Sequence, residues 1–326
     1  FIPITNYLLI QPYNITSYNI LNNKSAIITY NAYTPLTTNV STFAGSTYYG
    51  PSLFDGSATK AGFNLPNGIT YDGSNYYIAD TYNHAIRMIT QNGTVSTLAG
   101  TYSITSNVLM SRYVGKYNYG YYYYNDYYVS PIYSSGDDGL AINAYFNGLS
   151  FEIFDQYENL YVVDNNCIRK ITKSTGIVTL FAGSESTTGN WKGDGGLAIN
   201  AQLNYPTDII FDSNQNIYIT DGFNHRIRKI NYSTNIITTF AGSGIYGVFS
   251  SQNYSGDNGL ASNATFNYPV SIAFDSNQNN LYITDNHNHV IRKINMTTNI
   301  ITTIAGNGGS GKDGDGGLAS NAILSY

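Results

Sequence analysis

One pattern, written four times along the 326 residues, constrains this chain more than any other feature. The fullest copy runs from Gly193 to Gly242 and reads GDGGLAINAQLNYPTDIIFDSNQNIYITDGFNHRIRKINYSTNIITTFAG. It returns from Ser255 to Gly306, and in looser form from Phe54 to Gly100 and from Ser135 to Gly183. Self-similarity at such a period marks stacked units of one supersecondary type, each unable to bury its apolar faces alone.

Within a unit the apolar residues alternate or run in blocks of four to six, the habit of strands. In the fullest copy these are Asp208 to Phe211, Ile217 to Thr220, Arg226 to Asn231 and Ile236 to Phe240. Asp212 to Asn216 and Asn231 to Asn235 supply turn chemistry between them, because Asn and Asp accept left-handed backbone angles and bond their own main chain. The expected fold class is therefore all-β, a β-propeller of four-stranded blades.

The string Asp221-Gly-Phe-Asn-His225-Arg-Ile-Arg228-Lys, preceded by Ile217-Tyr-Ile-Thr and followed by Phe-Ala-Gly, resembles the NHL repeat. It recurs around Asp80, His84 and Arg87, and around Asp285, His289 and Arg292. A weaker copy joins Asp164 to Arg169, with Asn166 in place of the His. The resemblance covers Leu53 to Tyr326 and implies an NHL-type propeller of five or six blades.

The expected division is 1–45 as a degenerate blade or ring-closing segment, then blades at 46–100, 101–183, 184–242 and 243–306. Residues 307–326 open a further repeat, which Phe1 to Ile10 could complete by supplying a strand. With no initiator Met, the sequence reads as part of a longer or processed polypeptide.

Equivalent Arg residues set the loop lengths. Arg169 to Arg228 is 59 residues and Arg228 to Arg292 is 64, but Arg87 to Arg169 is 82. The excess is an insertion at 101–134, rich in tyrosine: Tyr117, Tyr119, Tyr121, Tyr122, Tyr123, Tyr124, Tyr127 and Tyr128. Tyr gives large contact area at low entropic cost, so this loop is the expected interaction surface. The long connections join the last strand of one blade to the first of the next, and should emerge on one side.

The recurring Asp, His and Arg invite a catalytic reading, yet a catalytic group is needed once and these occur once per blade. They read as structural. Asp285-x-His287-x-His289 would put three ligands on one face if extended, but zinc requires a fourth group and a supporting shell. No metal and no cofactor is expected. Gly193 to Gly196 lacks the Lys-Ser/Thr of a phosphate loop. Asp212-x-Asn214-x-Asn216 lacks the Gly and Glu of a calcium loop and reads as a turn. The fold resemblance alone brings in a metal-dependent lyase of peptide amidation, an analogy rather than a site.

Charged residues make up only 11% of the chain and the net charge is −5. Eight of its 15 Lys and Arg fall inside the repeat motif, leaving too few for a phosphate-binding face, so nucleic acid is not an expected partner. No apolar run is long enough for a membrane span. The single Cys167 excludes an internal disulfide. Sequons stand at Asn14, Asn23, Asn39, Asn92, Asn231, Asn253, Asn263 and Asn295. Those at Asn92, Asn231 and Asn295 fall in the turn between third and fourth strands, where a glycan fits. The expectation is an extracellular or cell-surface module, non-catalytic and structural or adhesive, assembling with copies of itself or other extracellular proteins. Glycan or peptide binding is the alternative.

Overall fold

The computed structural model describes residues 41–46, 53–101, 134–184, 191–244 and 254–325. The tyrosines of the insertion and the sequons at Asn14, Asn23, Asn39 and Asn253 lie outside them, as does the 1–40 part of the N-terminal segment. Among the described residues no helix is long and apolar enough to cross a membrane.

Seventeen strands form four antiparallel sheets. The first holds β1 (Gly56–Ser57), β2 (Pro66–Tyr71), β3 (Tyr76–Asp80), β4 (Ala85–Ile89) and β5 (Thr94–Ala99), in the order β1-β5-β4-β3-β2. The second holds β6 (Leu149–Phe154), β7 (Leu160–Asp164), β8 (Cys167–Ile171) and β9 (Val178–Gly183) in sequential order. The third is β10 (Pro206–Phe211), β11 (Ile217–Asp221), β12 (Arg226–Ile230) and β13 (Ile237–Ala241). The fourth is β14 (Pro269–Phe274), β15 (Asn280–Asp285), β16 (Val290–Asn295) and β17 (Ile301–Ala305). These are the all-β, four-stranded units that the alternation of apolar residues requires.

Each core lies between consecutive sheets. Tyr77, Ala79 and Ile86 of the first sheet pack on Phe146, Leu149 and Val162 of the second unit. Tyr161, Val163 and Ile168 meet Ile209, Ile217 and Ile219 of the third. Tyr218 and Ile227 meet Phe266, Ile272 and Ile283 of the fourth. Val and Ile dominate because branched side chains fill a pleated face with little rotamer entropy to lose. The result is a propeller-type stack in which a blade gains most of its burial from its neighbours.

The two ends of the stack differ. At one end Asp212 closes the first hairpin of the third sheet, its Oδ1 accepting the Asn214 and Asn216 amides at 2.9 and 2.8 Å. Oδ2 of the same carboxylate accepts the Asn216 side-chain amide at 2.8 Å, so the group is committed to its turn. Hairpin tips also reach sideways: the Gln278 carbonyl accepts the Ser213 amide at 2.6 Å, tying fourth sheet to third. We call this the hairpin end. At the loop end lie the turn from second to third strand, the start of the first strand and the end of the fourth, since β10 starts, β11 ends, β12 starts and β13 ends there, whereas the opening Gly195 to Ala198 pairs with Asn235 to Ile237 beside the second hairpin.

Candidate functional site

At the loop end each repeat carries a buried staple. In the third blade Arg228 Nη1 donates to Asp221 Oδ2 at 3.1 Å and Nη2 donates to Asp194 Oδ1 at 2.7 Å. Arg87 joins Asp80 and Asp55 in the same way, Arg169 joins Asp164 and Asp137, and Arg292 joins Asp285 and Asp257. The second aspartate, from the opening loop of the repeat, was not recognised as a partner from sequence, although its place in GDGGLA recurs with the Arg. All four Arg are fully buried.

The strand-end aspartates do further work. Oδ1 of Asp80, Asp164, Asp221 and Asp285 accepts the amide of Asn64, Asn147, Asn204 and Asn267 respectively, each at 2.7 Å. Burial raises the pKa of all four, with those hydrogen bonds and the guanidinium opposing it; Asp285 is pushed up to about 6. A planar Arg fork suits this role because it satisfies a carboxylate and a loop at once. The Nη donors are spent on these carboxylates and on backbone carbonyls, while Nε of Arg87, Arg228 and Arg292 has no partner among the described residues.

The motif histidines take left-handed backbone angles at the ends of short 3-10 turns, with φ of 55° at His84 and 54° at His225 and His289. His225 Nδ1 accepts the Tyr268 amide of the next repeat at 3.0 Å, which leaves its proton on Nε2. Burial, chiefly, depresses its pKa to about 4. Asn166, standing where the His is missing, does the same job: its Oδ1 accepts the Tyr205 amide at 2.8 Å. The extended arrangement that would align Asp285, His287 and His289 does not form, because Asn286–Asn288 is a 3-10 turn and Asp285 is held by Arg292. Among the described residues no group of three or more His, Cys, Asp or Glu is placed to hold a metal.

A feature that sequence reading missed lies on the surface beside these clamps. Tyr205, Phe223, Tyr268 and His287 form one cluster across the third and fourth blades: the rings of Tyr205, Phe223 and Tyr268 make a triangle with centroids 5.3, 4.9 and 6.4 Å apart, and His287 lies 4.9 Å from Tyr268. Phe223 is 50% exposed and Tyr205 47%. Tyr205 and Tyr268 hold φ of 52° and 55° although each precedes a proline and neither is a glycine. Such strain persists only where the surroundings fix it, and here the Asn166 and His225 clamps do. Gly222 makes room: a Cβ there would stand 2.8 Å from the Tyr205 carbonyl oxygen and 3.1 Å from the Tyr268 ring. The signal was present in the Asn-Tyr-Pro that precedes both inner strands, a bulky residue at a turn position.

Of the residues that flank 102–133, Thr101 donates its amide to the Ala144 carbonyl at 2.9 Å and Ser135 pairs with Tyr145. The sequons at Asn92, Asn231 and Asn295 sit at the hairpin end, and Asn92 and Asn231 are exposed. Asn263 is exposed in the 3-10 turn Ala261–Asn263.

Two buried carboxyls on inner strands complete the inventory. Asp208 Oδ2 accepts the Ser271 hydroxyl at 2.7 Å and the Ile272 amide at 3.0 Å across the blade boundary, and burial pushes its pKa up to about 6. Glu152 is buried against Gly68 of the first sheet, both oxygens lacking a hydrogen-bond partner among the described residues. Burial pushes its pKa up to about 8.

Fold and staple together define a class: β-propeller-type blades pinned by one Arg between two Asp. Residues 188–310 match the Teneurin NHL domain family. Human NHL repeat-containing protein 2 is 24% identical over 315 residues, spanning 78% of this chain and 42% of that protein. Human Teneurin-1 is 38% identical over 96 residues, 29% of this chain and 3% of that one. Among solved structures, a gluconolactonase from Xanthomonas campestris aligns over 77% of this chain and 66% of its own, at 13% identity and a TM-score of 0.45. These matches support NHL-type repeats in this chain, and it spans less than half the length of the curated relatives it matches.

Proposed function

We propose that this chain is a non-catalytic, extracellular contact module that adheres through its loop end. The observation that carries the reading is the aromatic cluster of Tyr205, Phe223, Tyr268 and His287, in which Tyr205, Phe223 and His287 are exposed, Tyr268 is half-buried, and Tyr205 and Tyr268 are held at left-handed backbone angles by hydrogen bonds to Asn166 and His225. Exposed aromatics on a rigid scaffold are the usual anchors of recognition. The Tyr-rich insertion is anchored at the same end, so both aromatic features can engage one partner, whether a second copy or another extracellular molecule. Glycans on Asn92, Asn231 and Asn295, at the opposite end, would stay clear of that face. The motif Asp and Arg residues support the non-catalytic part, because each is committed to its staple.

The test compares the full chain with Phe223→Ala/Tyr268→Ala and with Tyr157→Ala, an exposed tyrosine of the hairpin end. Sedimentation measures self-association, and retention on native surface material measures adhesion. Loss confined to the loop-end variant is expected. Equal behaviour of the two variants contradicts the reading. Removing Tyr117 to Tyr128 should likewise leave folded monomers, and assembly that survives the deletion takes the insertion out of the contact.

A further inference from the structure

We propose that Arg226 and Trp191 form a binding site for a carboxylate carried on an apolar body. The site shares no residue with the aromatic cluster, and it stands or falls apart from the contact face.

Position comes first. Each blade starts its third strand opposite its strand-end aspartate, and the residues there are Ala85, Cys167, Arg226 and Val290. All four are buried, and the other three are small or apolar. An arginine in such a place costs stability unless an acceptor meets it. The staple does not need it for balance, because the other three blades hold one Arg between two Asp with Ala, Cys or Val at this position.

The guanidinium is also short of partners. Nη2 donates to the Ser243 carbonyl at 2.7 Å, but Nε and Nη1 have no hydrogen-bond partner among the described residues. An unpaired Nε recurs in three staples, whereas an unpaired Nη occurs only here among the described arginines. Arg226 is also the one arginine among the described residues with no carboxylate in ion-pair contact. Asp194 and Asp221 act on it from a distance, and both are held by Arg228. Burial and Arg228 lower its pKa, yet a guanidinium stays charged at pH 7.

The surroundings define what fits. The Trp191 ring centroid lies 3.8 Å from Cζ, and Gly244 backs so closely onto the guanidinium that a Cβ there would collide with Nη1 and Cζ. Neither contact satisfies an N–H. What is missing is an acceptor in the guanidinium plane, which a planar carboxylate supplies. Trp191 is 50% exposed and offers apolar surface to the body that carries the acid. Arg226, Arg228 and the exposed Lys192 outnumber Asp194 and Asp221 by one, so a monoanion balances the group. A dianion such as sulfate would add repulsion from Asp194. Because Nε and Nη1 are buried, the ligand enters as the indole shifts, and Trp191 is the only tryptophan of the chain.

The experiment follows tryptophan emission and the thermal unfolding midpoint of the full chain in phenylacetate, N-acetylphenylalanine, phenylacetamide and sulfate at constant ionic strength. The two carboxylates should change the emission saturably and raise the midpoint, since a ligand of the folded state stabilises it. Phenylacetamide, the same body without the charge, should do neither. A stronger response to N-acetylphenylalanine points to a peptide chain end as the natural source, and a stronger one to phenylacetate points to a free acid. Arg226→Val, which copies Val290 of the fourth blade, should weaken binding at least about tenfold. Arg226→Gln, which keeps part of the length without the charge, should do the same, so the result does not hang on one variant. No saturable response to either carboxylate, an equal response to phenylacetamide, a stronger one to sulfate, or a response that survives in the folded variants overturns the inference.

Discussion

Arg228 shows how a charged side chain can be wholly buried without being a site. Its fork meets Asp221, also buried, and Asp194, which is a third exposed. Taking away the cation strands Asp221 in a low-dielectric interior, and removing one partner of such a pair costs about 3–5 kcal/mol. Arg228→Met should lose that much in urea unfolding, whereas Asp194→Asn should lose only about 1 kcal/mol because water already screens that half. Glu152 makes the opposite prediction. Its folded pKa of about 8 lies above the ordinary 4.5, so between those values the native state holds a proton that the unfolded chain releases. Its contribution is therefore complete below pH 4.5, falls as pH rises to about 8, and is flat beyond. Glu152→Gln should flatten that decline and unfold at higher urea than the parent at pH 9, by roughly 5 kcal/mol at most. A parent whose stability does not fall over this range, relative to Glu152→Gln, would show that Glu152 ionises freely in the folded state.

At the scale of the element, the clamp from one blade to the next is the unit that sequence half conceals. Asn166 looked like decay of the motif, yet it accepts the Tyr205 amide as His225 accepts that of Tyr268. Asn166→His should stay within about 0.5 kcal/mol of the parent in thermal unfolding, and Asn166→Ala should lose about 1–2 kcal/mol by leaving the amide without its acceptor. A neutral Asn166→Ala would mean that the strained turn holds itself. The strands were legible because alternation and turn residues are local: Ile217 and Phe211 fall where the apolar blocks end. The Asp194 to Arg228 pairing was not, since the two lie 34 residues apart and nothing local marks a contact across a loop. The aromatic cluster was hidden for a related reason. Tyr205 and Tyr268 fill one repeat position and Phe223 and His287 another, about 18 residues on, and only folding lays the two positions side by side. His287 misled because an extended segment was assumed where the chain turns.

For the whole molecule, the described residues continue past the first and the fourth sheets into part of a further repeat on either side. Gly45, which follows the Ser41 to Ala44 segment, donates its amide to the Ala58 carbonyl at 2.8 Å on the first blade, as Gly242 does to Ala261 on the fourth. Beyond the fourth sheet the opening Gly314 to Ser325 is built, but Leu318 is 72% exposed and Ala319 is exposed, where Ala198 and Ala261 are buried. In complete repeats the latter two amides donate to Asn235 and Asn299 in the turn before their own fourth strand, both at 2.8 Å. If the N-terminal residues of the same chain supply that strand, the Ala319 amide should exchange with deuterium as slowly as that of Ala261. Fast exchange would leave this edge open to another chain. The central claim, that the loop end and not the repeated Asp, His and Arg residues is where this protein meets its partner, is tested most directly by hydroxyl-radical footprinting of the protein in its native material against the purified chain. The account predicts protection of Tyr205, Phe223, Tyr268 and His287, with Tyr157 and the hairpin end as reactive as in the purified protein. Protection of the hairpin end with the aromatic cluster fully reactive would contradict it.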